Sequence, residues 1–329
     1  MPSDVINWLL EEENPSVRYF TLTSLLDRKQ EDPIVQQAKE NIMLDGPVPK
    51  ILSKQNEDGS WSVPERFYTD KYKGTIWTLL ILAELGADPH DPQVKKACEF
   101  ILDHSQCIEN GGFSHMQSAK TKQGLPSGVI PCLSGNMVYA LIKLGYLEDE
   151  RVQQGIAWIT KFLRADDGAK IRSKDDEYNR LITCFGKHSC HMGVAKALKA
   201  LAAIPDDKLT SEVKAKRDEL VEYFLIHHIH KKSHQLDEIA RPGWMKFGFP
   251  LMYQSDVLEL VGIMRNLKIN DPRLAEAYQL ISGKQSNDGR WELENTFNGK
   301  TITAIEKKDM PSKWITLKAL CALKPMTSE

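Results

Sequence analysis

Two cysteine-containing segments of the chain carry the residue types of a metal centre. Cys132 stands at the start of one predicted apolar helix, and the pair Cys190-His191 stands at the start of the next. Two thiolates and one imidazole leave the fourth position of a tetrahedral zinc ion open, as in catalytic zinc sites. Zinc held in this way lowers the pKa of the fourth ligand and supplies a nucleophile at neutral pH. The pattern predicts a Zn2+ centre with Cys132, Cys190 and His191 as ligands.

Two neighbouring residues extend this prediction, and two simpler readings compete with it. Cys184 is close enough along the chain to be a further metal ligand, and His188 is the candidate acid or base. Free cysteine is also among the most buried residue types, so core packing is one alternative. A metal-free thiol activated by a helix N-terminus is the other. The remaining cysteines, Cys98, Cys107 and Cys321, are expected to be structural.

A pair of carboxylates offers different chemistry on another predicted apolar helix. Asp256 and Glu259 are one helical turn apart, and Tyr253, at the start of the same predicted helix, is a further catalytic candidate. Paired carboxylates act as acid and base in glycoside hydrolases. A carbohydrate-active protein is therefore an alternative function, and a wide acidic groove would favour it over a closed apolar pocket.

Aromatic residues are the candidates for binding a substrate. Aromatic walls suit an isoprenoid chain or a stabilised carbocation, although a helical protein of this size also uses aromatics as ordinary core. Lys73 is a candidate cation for a diphosphate. The predicted aromatic binding residues are Trp77, Tyr139, Trp244, Phe249 and Trp314.

A repeated turn shows how these residues are positioned. Residues 54–61 read KQNEDGSW and residues 284–291 read KQSNDGRW, each after an apolar helical run. Weaker copies occur at residues 100–113 and 158–168, and the turn glycines Gly59, Gly112 and Gly168 are 53 and 56 residues apart. A unit of about 55–60 residues therefore repeats along the chain.

Each unit is predicted to contain one amphipathic and one more apolar helix. Asp-Pro pairs at residues 32–33, 91–92 and 271–272 supply an N-cap and a first-turn proline for the amphipathic helices. Alternation with period two is nearly absent, so no substantial sheet is expected. The predicted apolar helices are Pro15–Arg28, Tyr72–Leu85, Cys132–Leu144, His188–Ile204, Tyr253–Leu267 and Ser312–Leu323.

Six apolar helices wrapped by six amphipathic ones predict a closed (α/α)6 barrel, or toroid, as a single domain over residues 1–329. An open helical solenoid is the alternative, but open arrays usually need polar end caps. In a closed ring the inner helices run parallel, so their N-termini would meet at one mouth. Converging N-termini make that mouth a ready anion site and the place to look for chemistry.

The Gln-x-x-x-Gly-x-Trp turn after a helix resembles the QW repeat of squalene and oxidosqualene cyclases, and the same toroid occurs in protein prenyltransferase β subunits. The resemblance covers nearly the whole chain in architecture, but only the copies at residues 54–61 and 284–291 are sharp. It implies the fold and a cyclase-like or prenyltransferase-like activity, whereas fold alone does not determine the reaction.

Two further comparisons of motifs refine this resemblance. Cys132 with Cys190-His191-Met192-Gly193 is similar to the zinc element of lanthionine synthetase cyclases, with one residue inserted before the glycine. The Asp, Cys and His zinc ligands of prenyltransferases have no clear match here. No Asp-x-Asp-Asp motif occurs, so the protonation chemistry of class II terpenoid cyclases is not expected.

Composition limits the partners. The chain has 329 residues, 27% of them charged, and a net charge of −2, which argues against nucleic acid as a ligand. No apolar run reaches the roughly 20 residues of a membrane span. The N-terminus does not read as a secretory signal, and six cysteines are too few for a disulfide framework, so a cytoplasmic protein is expected.

Together these features predict a toroid resembling prenyltransferases and terpenoid cyclases that acts on an apolar or isoprenoid-like small molecule, or on a thiol-bearing substrate, in a central cavity. If it is an enzyme, it is a zinc-dependent transferase or a cyclase-like enzyme. A non-catalytic binding module that retains the ring is the third function.

Overall fold

The structure, a computed structural model, describes residues 3–165, Cys184, 190–297 and 299–325. Within these ranges the chain is mostly α-helical, which confirms the predicted class. The α-helices are α1 Ser3–Leu9, α2 Pro15–Phe20, α3 Pro33–Leu44, α4 Pro47–Leu52, α5 Thr75–Leu85, α6 Pro92–His104, α7 Pro131–Lys143, α8 Glu150–Phe162, α9 His191–Ala202, α10 Ser211–Ile226, α11 Val257–Asn266, α12 Ala275–Gly283 and α13 Lys313–Leu323.

Short elements join these helices. A π-helical turn, Thr21–Leu25, extends α2. Strands β1 Lys231–Lys232 and β2 Gln235–Ile239 pair as an antiparallel ribbon, which is the one sheet in the described ranges and agrees with the expectation of no substantial sheet. The 3-10 turns are Pro64–Arg66, Lys71–Lys73, Pro126–Gly128, Asp206–Lys208, Pro242–Met245 and Pro272–Leu274.

Buried and half-exposed helices alternate along the chain. All eleven residues of α5 are buried, whereas α6 buries one stripe and leaves the opposite face in solvent. A helix that is apolar all round needs neighbours on every side, whereas an amphipathic helix can lie on the outside of the core. The same contrast separates α7 and α9 from α8 and α10, as the period of the sequence predicts.

The apolar helices contact one another in chain order. Helix α5 packs on α7, α7 on α9, α9 on α11 and α11 on α13. Helix α13 in turn contacts α2 and the π-helical turn near the N-terminus, and Gly86 at the end of α5 lies against the ring of Phe20. One hydrophobic cluster extends from Val5 to Ala322. Closure into an (α/α)6 barrel and the single-domain boundaries remain predictions.

The repeated tryptophan turn ties an amphipathic helix to the buried helix that follows. The indole N–H of Trp61 donates to the Ile51 carbonyl oxygen at 2.9 Å, and its backbone N–H donates to Thr75 Oγ1 in α5 at 3.0 Å. Gly59 supplies the left-handed backbone of the turn, with φ of +90°. The equivalent contacts elsewhere are Trp291 to Ile281 and Thr316, and Phe113 to Ser134.

Aspartate caps begin the helices where the Asp-Pro pairs predict them. The Asp91 carboxylate accepts hydrogen bonds from the backbone N–H groups of Gln93 and Val94 at 2.8 and 3.1 Å. We expect Asp91→Ala to lower the free energy of unfolding by about 1 kcal/mol, because two N–H groups at the helix start lose their acceptor. Urea denaturation checks this against Lys95→Ala, on the exposed face of the same helix, which should be near neutral.

Two predicted helix starts, at Tyr72 and Tyr253, are too early, and the helix predicted from Tyr72 begins at Thr75. The predicted helix from Tyr253 begins at Val257, because Asp256 is extended and caps it. The predicted helix from His188 is described only from His191, and His188 itself lies outside the described residues. No helix in the described ranges has the length and apolarity needed to cross a membrane.

Candidate functional site

Close packing of α7 against α9 brings the predicted thiols together. A Cβ atom on Gly135 would lie 2.5 Å from the backbone carbonyl carbon of Lys196, so the two helix backbones are nearly in contact. Gly193 in the first turn of α9 lies against Pro131 in the same way. Because both glycines lie toward the N-terminal ends of their helices, Cys132 at the start of α7 comes to lie beside Cys190, which immediately precedes α9.

The Cys190 sulfur lies in surroundings that favour the thiolate. It accepts a hydrogen bond from the Cys184 thiol, and this contact is the largest contribution to the lowering of its pKa to about 6. Burial opposes the shift, but the backbone N–H groups of Met192 and Gly193 and the nearby charge of Arg241 support it. Thiolates at helix N-termini are stabilised in this way. Cys190 is half-buried, and its surroundings favour the thiolate at neutral pH.

The adjacent thiol behaves in the opposite way. Burial raises the pKa of Cys132 to about 12, and the neighbouring Cys190 contributes to the shift because two negative charges repel each other. Hydrogen bonds from the backbone only partly offset these effects. Of these two thiols, Cys190 is therefore the one whose thiolate is favoured.

Phenol and indole rings surround the thiols. Burial raises the pKa of the Tyr68 hydroxyl to about 12, and nearby Cys132, Tyr253 and Cys184 add to the shift. The ring of Trp77 lies 5.7 Å from Tyr68 and 5.8 Å from Tyr253 between ring centroids. Its indole N–H is buried and has no hydrogen-bond partner in the described part of the chain. The site thus combines a thiolate with an aromatic wall and one unused donor.

The outer part of this wall includes residues that the sequence analysis did not select as site residues. His115 lies 5.4 Å from Tyr68, and Tyr72 hydrogen-bonds Tyr253 and stacks on Phe297 at 4.4 Å between ring centroids. Tyr68 and His115 lie in loops and Tyr72 lies in the 3-10 turn Lys71–Lys73, so helical periodicity gives no signal for them. The available signal was the presence of aromatics just before a predicted apolar helix. Predicted Tyr253 and Trp77 lie at this site.

The His191 imidazole is packed among aromatic rings. Its ring stacks on Trp244 at a centroid distance of 3.5 Å and an interplanar angle of 14°, and Phe224 of α10 meets it edge-on at 4.9 Å. Burial holds its pKa well below the usual value. Successive residues of a helix point about 100° apart, so adjacent Cys190 and His191 face different neighbours.

The predicted zinc ligands are therefore only partly assembled. Cys132, Cys184 and Cys190 are neighbours, whereas the imidazole of His191 is stacked on Trp244. No group of three or more His, Cys, Asp or Glu side chains in the described ranges is arranged to hold a metal ion. As placed, these residues do not fit the predicted zinc centre, and zinc remains a prediction for metal analysis.

The other predicted binding residues lie apart from the thiols. Trp314 stacks on Phe249 at 4.2 Å between ring centroids, and the Tyr139 ring lies 4.4 Å from the Lys199 ammonium group. Lys73 is exposed at the start of α5. Trp244 contacts His191, as described above. The predicted aromatics therefore occupy several places rather than one wall.

The two predicted carboxylates have different partners. Asp256 caps α11, with its two oxygens accepting from the backbone N–H groups of Glu259 and Gly248, both at 2.8 Å. Burial raises the pKa of Asp256 to about 7 despite these bonds. Burial also opposes ionisation of Glu259, but the ammonium groups of Lys196 and Lys199 lower its pKa to about 2. With these contacts neither carboxylate is free to meet a sugar.

Glu259 belongs to a buried ion cluster, here defined as Glu84, Lys196, Lys199, Glu259 and Lys318. Lys196 Nζ lies 2.9 and 2.7 Å from the two Glu259 oxygens, and Lys199 bridges Glu259 at 2.9 Å and Glu84. Lys318 reaches the second Glu84 oxygen at 3.2 Å. The cluster joins α5, α9, α11 and α13 across the centre of the helices.

A cavity of about 430 Å³ opens next to this cluster. Its lining comes from the α2 region, α5, α7, α9, α11 and α13, and for α5, α7 and α9 from the C-terminal half of the helix. Cys190 immediately precedes α9, and Lys199 lies nine residues further along, which is roughly 13 Å along the helix axis. The cavity therefore lies toward the C-terminal ends of α5, α7 and α9, away from the thiols.

No protein-family model and no curated protein matches the chain. Similar solved structures include a protein from Actinoplanes, with a TM-score of 0.45, 12% identity, and coverage of 94% of this chain and 89% of that chain. Others are two substituted forms of a type II terpene cyclase from Scytonema in complex with geranylgeranyl dihydroxybenzoate, its substrate. These have TM-scores of 0.41, identities of 15% and 13%, and coverage of 94% and 98% of this chain and 86% and 97% of theirs. At such TM-scores the likeness assigns neither a fold family nor an activity by itself.

Proposed function

We propose that the chain is a closed (α/α)6 toroid enzyme of the prenyltransferase and terpenoid-cyclase kind, with Cys190 as its nucleophile. The observation that carries the proposal is the environment of the Cys190 sulfur, which accepts hydrogen bonds from the Cys184 thiol and from two backbone N–H groups at the start of α9. Closure is supported by the contacts of α13 with the α2 region, and the repeated turns resemble QW repeats.

The proposed reaction is attack by the Cys190 thiolate on an electrophilic carbon of an apolar, isoprenoid-like substrate. The sulfur forms a bond to that carbon, and the bond to an anionic leaving group breaks with its electron pair. Arg241, whose charge already favours the thiolate, would also attract the departing anion. An acceptor nucleophile would then displace the thiolate and complete the transfer.

The aromatic wall supports an apolar substrate. Trp77 and Tyr253 present ring surface beside the thiols, and rings of this kind favour apolar chains and developing positive charge. The buried indole N–H of Trp77 has no acceptor in the described part of the chain. A hydrogen bond from this N–H would stabilise a polar group of a bound substrate.

Selective alkylation tests the nucleophile. We expect iodoacetamide at pH 7 to label Cys190 about 100-fold faster than Cys321, because the higher thiolate fraction of Cys190 outweighs its lower intrinsic nucleophilicity. Cys321 is the matched control, since it is also half-buried while burial raises its pKa to about 11. Peptide mapping by mass spectrometry gives both rates in one experiment. Equal labelling of the two cysteines would contradict the proposal and leave the binding-module alternative.

A second pair of variants tests the surroundings of the thiolate. Cys184→Ala should shift the alkylation profile of Cys190 to higher pH, because the largest contribution to the lowered pKa is removed. Trp77→Ala should reduce the preference of Cys190 for geranyl bromide over iodoacetamide without changing the iodoacetamide rate. A preference unchanged by Trp77→Ala would count against an aromatic substrate wall.

Metal analysis separates a zinc-dependent version of the proposal from the metal-free one. Protein purified without a His tag is measured for zinc alongside Cys190→Ala and Cys321→Ala. About one zinc per chain, lost only in Cys190→Ala, would make Cys190 a ligand instead of a free nucleophile. A zinc content well below one per chain in all three proteins would favour the metal-free thiolate mechanism.

A further inference from the structure

The cavity near the C-terminal ends of α5, α7 and α9 has more positive than negative charge in its lining. Four cationic side chains and two acidic ones line it. The acidic ones are Glu84 and Glu259, whose side chains are 6% and 5% exposed. Carboxylates this deeply buried are stable only when they are paired, so their partners decide what charge the cavity offers to a ligand.

Both carboxylates are already bound to lysines. Glu84 accepts from Lys199 through one oxygen and from Lys318 through the other. Glu259 accepts from Lys196, Lys199 and the Ser255 hydroxyl. Three ammonium groups therefore share two carboxylates, and no acidic side chain in the described lining remains available to a cation.

Three lining cations, in contrast, retain capacity for an anion. Lys318 is 31% exposed, and its contact with Glu84 is at 3.2 Å. Arg265 donates from Nη2 to the Pro325 carbonyl oxygen at 2.9 Å, and Lys143 is exposed at the end of α7. Lysine and arginine near helix C-termini also complement the helix dipole, so Lys143 and Arg265 alone would indicate little. Lys318 lies in the middle of α13, where that explanation does not apply.

Part of the remaining lining is apolar, and one position in it is open. Phe20 and Trp314, with ring centroids 5.9 Å apart, form one wall with Leu317. Gly262 of α11 also lines the cavity, and a Cβ atom placed there would meet no atom within 4 Å. A volume of about 430 Å³ is within the roughly 300–1,000 Å³ range of small-molecule sites.

We infer that this cavity is a binding site for a small amphiphilic organic anion, with the anionic group at Lys318, Lys143 and Arg265 and the apolar body against Phe20, Trp314 and Leu317. The site is separated from Cys190 by the buried ion cluster, and its occupation does not require the Cys190 chemistry. Failure of the thiolate proposal would leave this inference unaffected.

Isothermal titration calorimetry with the full chain tests the site. The probes are dodecanoate, dodecanol and dodecyltrimethylammonium, each below its micellar concentration, so that one apolar body carries three different heads. We expect dodecanoate to bind at least 10-fold tighter than dodecanol and the ammonium compound to bind more weakly than both. Binding of the ammonium compound as tight as that of dodecanoate would overturn the inference.

Filling the cavity locates the binding. Gly262→Leu places a side chain in the open position and should weaken dodecanoate binding at least 10-fold, while leucine in place of a helix-interior glycine favours folding. Gly283→Leu is the matched control, since Gly283 at the end of α12 is exposed, does not line the cavity and has no neighbouring atom within 4 Å of an added Cβ. If Gly262→Leu and Gly283→Leu both bound dodecanoate as tightly as the natural chain, dodecanoate would bind elsewhere and the inference would be overturned.

Charge variants assign the anionic end. Replacing both Lys143 and Arg265 by Ala should weaken the binding of dodecanoate about 10-fold and leave the binding of dodecanol nearly unchanged. Cys190→Ser should bind dodecanoate like the natural chain, which keeps this site distinct from the thiolate site. A parallel loss of both ligands in the Lys143 and Arg265 variant would mean that the head group is not recognised there.

Discussion

Replacing Glu259 by Gln is expected to lower the free energy of unfolding by about 3–5 kcal/mol, because it leaves buried ammonium groups without their anion. Lys196 Nζ donates hydrogen bonds to both oxygens of Glu259, and the Lys196 side chain is 0% exposed. Lys199 keeps Glu84 as a partner, so the cost falls mainly on Lys196. Urea denaturation at pH 7 measures the loss.

Two variants make this prediction specific. Glu276→Gln removes a carboxylate from a more exposed ion pair with Lys231 and should cost at most about 1 kcal/mol, since pairs open to solvent contribute little. The double variant Lys196→Met with Glu259→Gln should recover at least half of the loss, because it removes the buried charge along with its partner. A Glu259→Gln cost as small as that of Glu276→Gln would contradict the account of the ion cluster.

The same carboxylate gives a pH dependence of known sign. The pKa of the Glu259 carboxyl group in the folded chain is about 2, below its ordinary value of 4.5. A carboxyl group with a lowered folded pKa contributes stability above its unfolded pKa and loses it as pH falls toward the folded pKa. The natural chain should therefore lose stability between about pH 5 and pH 2, and Glu259→Gln should show a shallower decline.

Gly135→Ala and Gly262→Ala are expected to change stability in opposite directions. Alanine at position 135 would put its Cβ 2.5 Å from the backbone of Lys196, and backbone cannot move aside as a flexible side chain can. Overpacking of this kind costs about 1–3 kcal/mol. Alanine at position 262 meets no atom within 4 Å and should stabilise α11 by about 0.5–1 kcal/mol.

Thermal unfolding of the two variants checks this pair, because the substitution and the helical context are the same. Stabilisation by Gly135→Ala would show that the backbones are not in close contact, and it would remove the reason given for the meeting of the thiols.

Much of the helical organisation could be predicted locally. Asp32, Asp91 and Asp271 cap the elements that the Asp-Pro pairs mark, and the turns at Trp61 and Trp291 fold alike. Residues within a few positions of one another decide caps and turns, so a single sequence contains the necessary information. The N-terminal position of the thiols on their helices was predictable for the same reason.

The sequence did not indicate the direction in which each side chain points or which distant residues it contacts. His191 was paired with Cys190 because the residues are adjacent, but a helix turns them toward different neighbours, and Trp244 and Phe224 take the imidazole. Asp256 and Glu259 were paired as one acid–base unit, but one is a cap and the other an ion-cluster member. Loop residues such as Tyr68 gave no periodic signal, so their place beside the thiols was not predicted.

The sequence by itself determined the helical class, the alternation of buried and half-exposed helices, and the clustering of thiols near helix starts, because periodicity and capping act over a few residues. Only the tertiary structure decided that Lys196 meets Glu259 across 63 positions, that Gly135 lets α7 touch α9, and that a cavity lies away from the thiols. These features depend on which helix faces pack together. Contacts between segments distant in sequence determine that packing, and a local sequence pattern does not specify them.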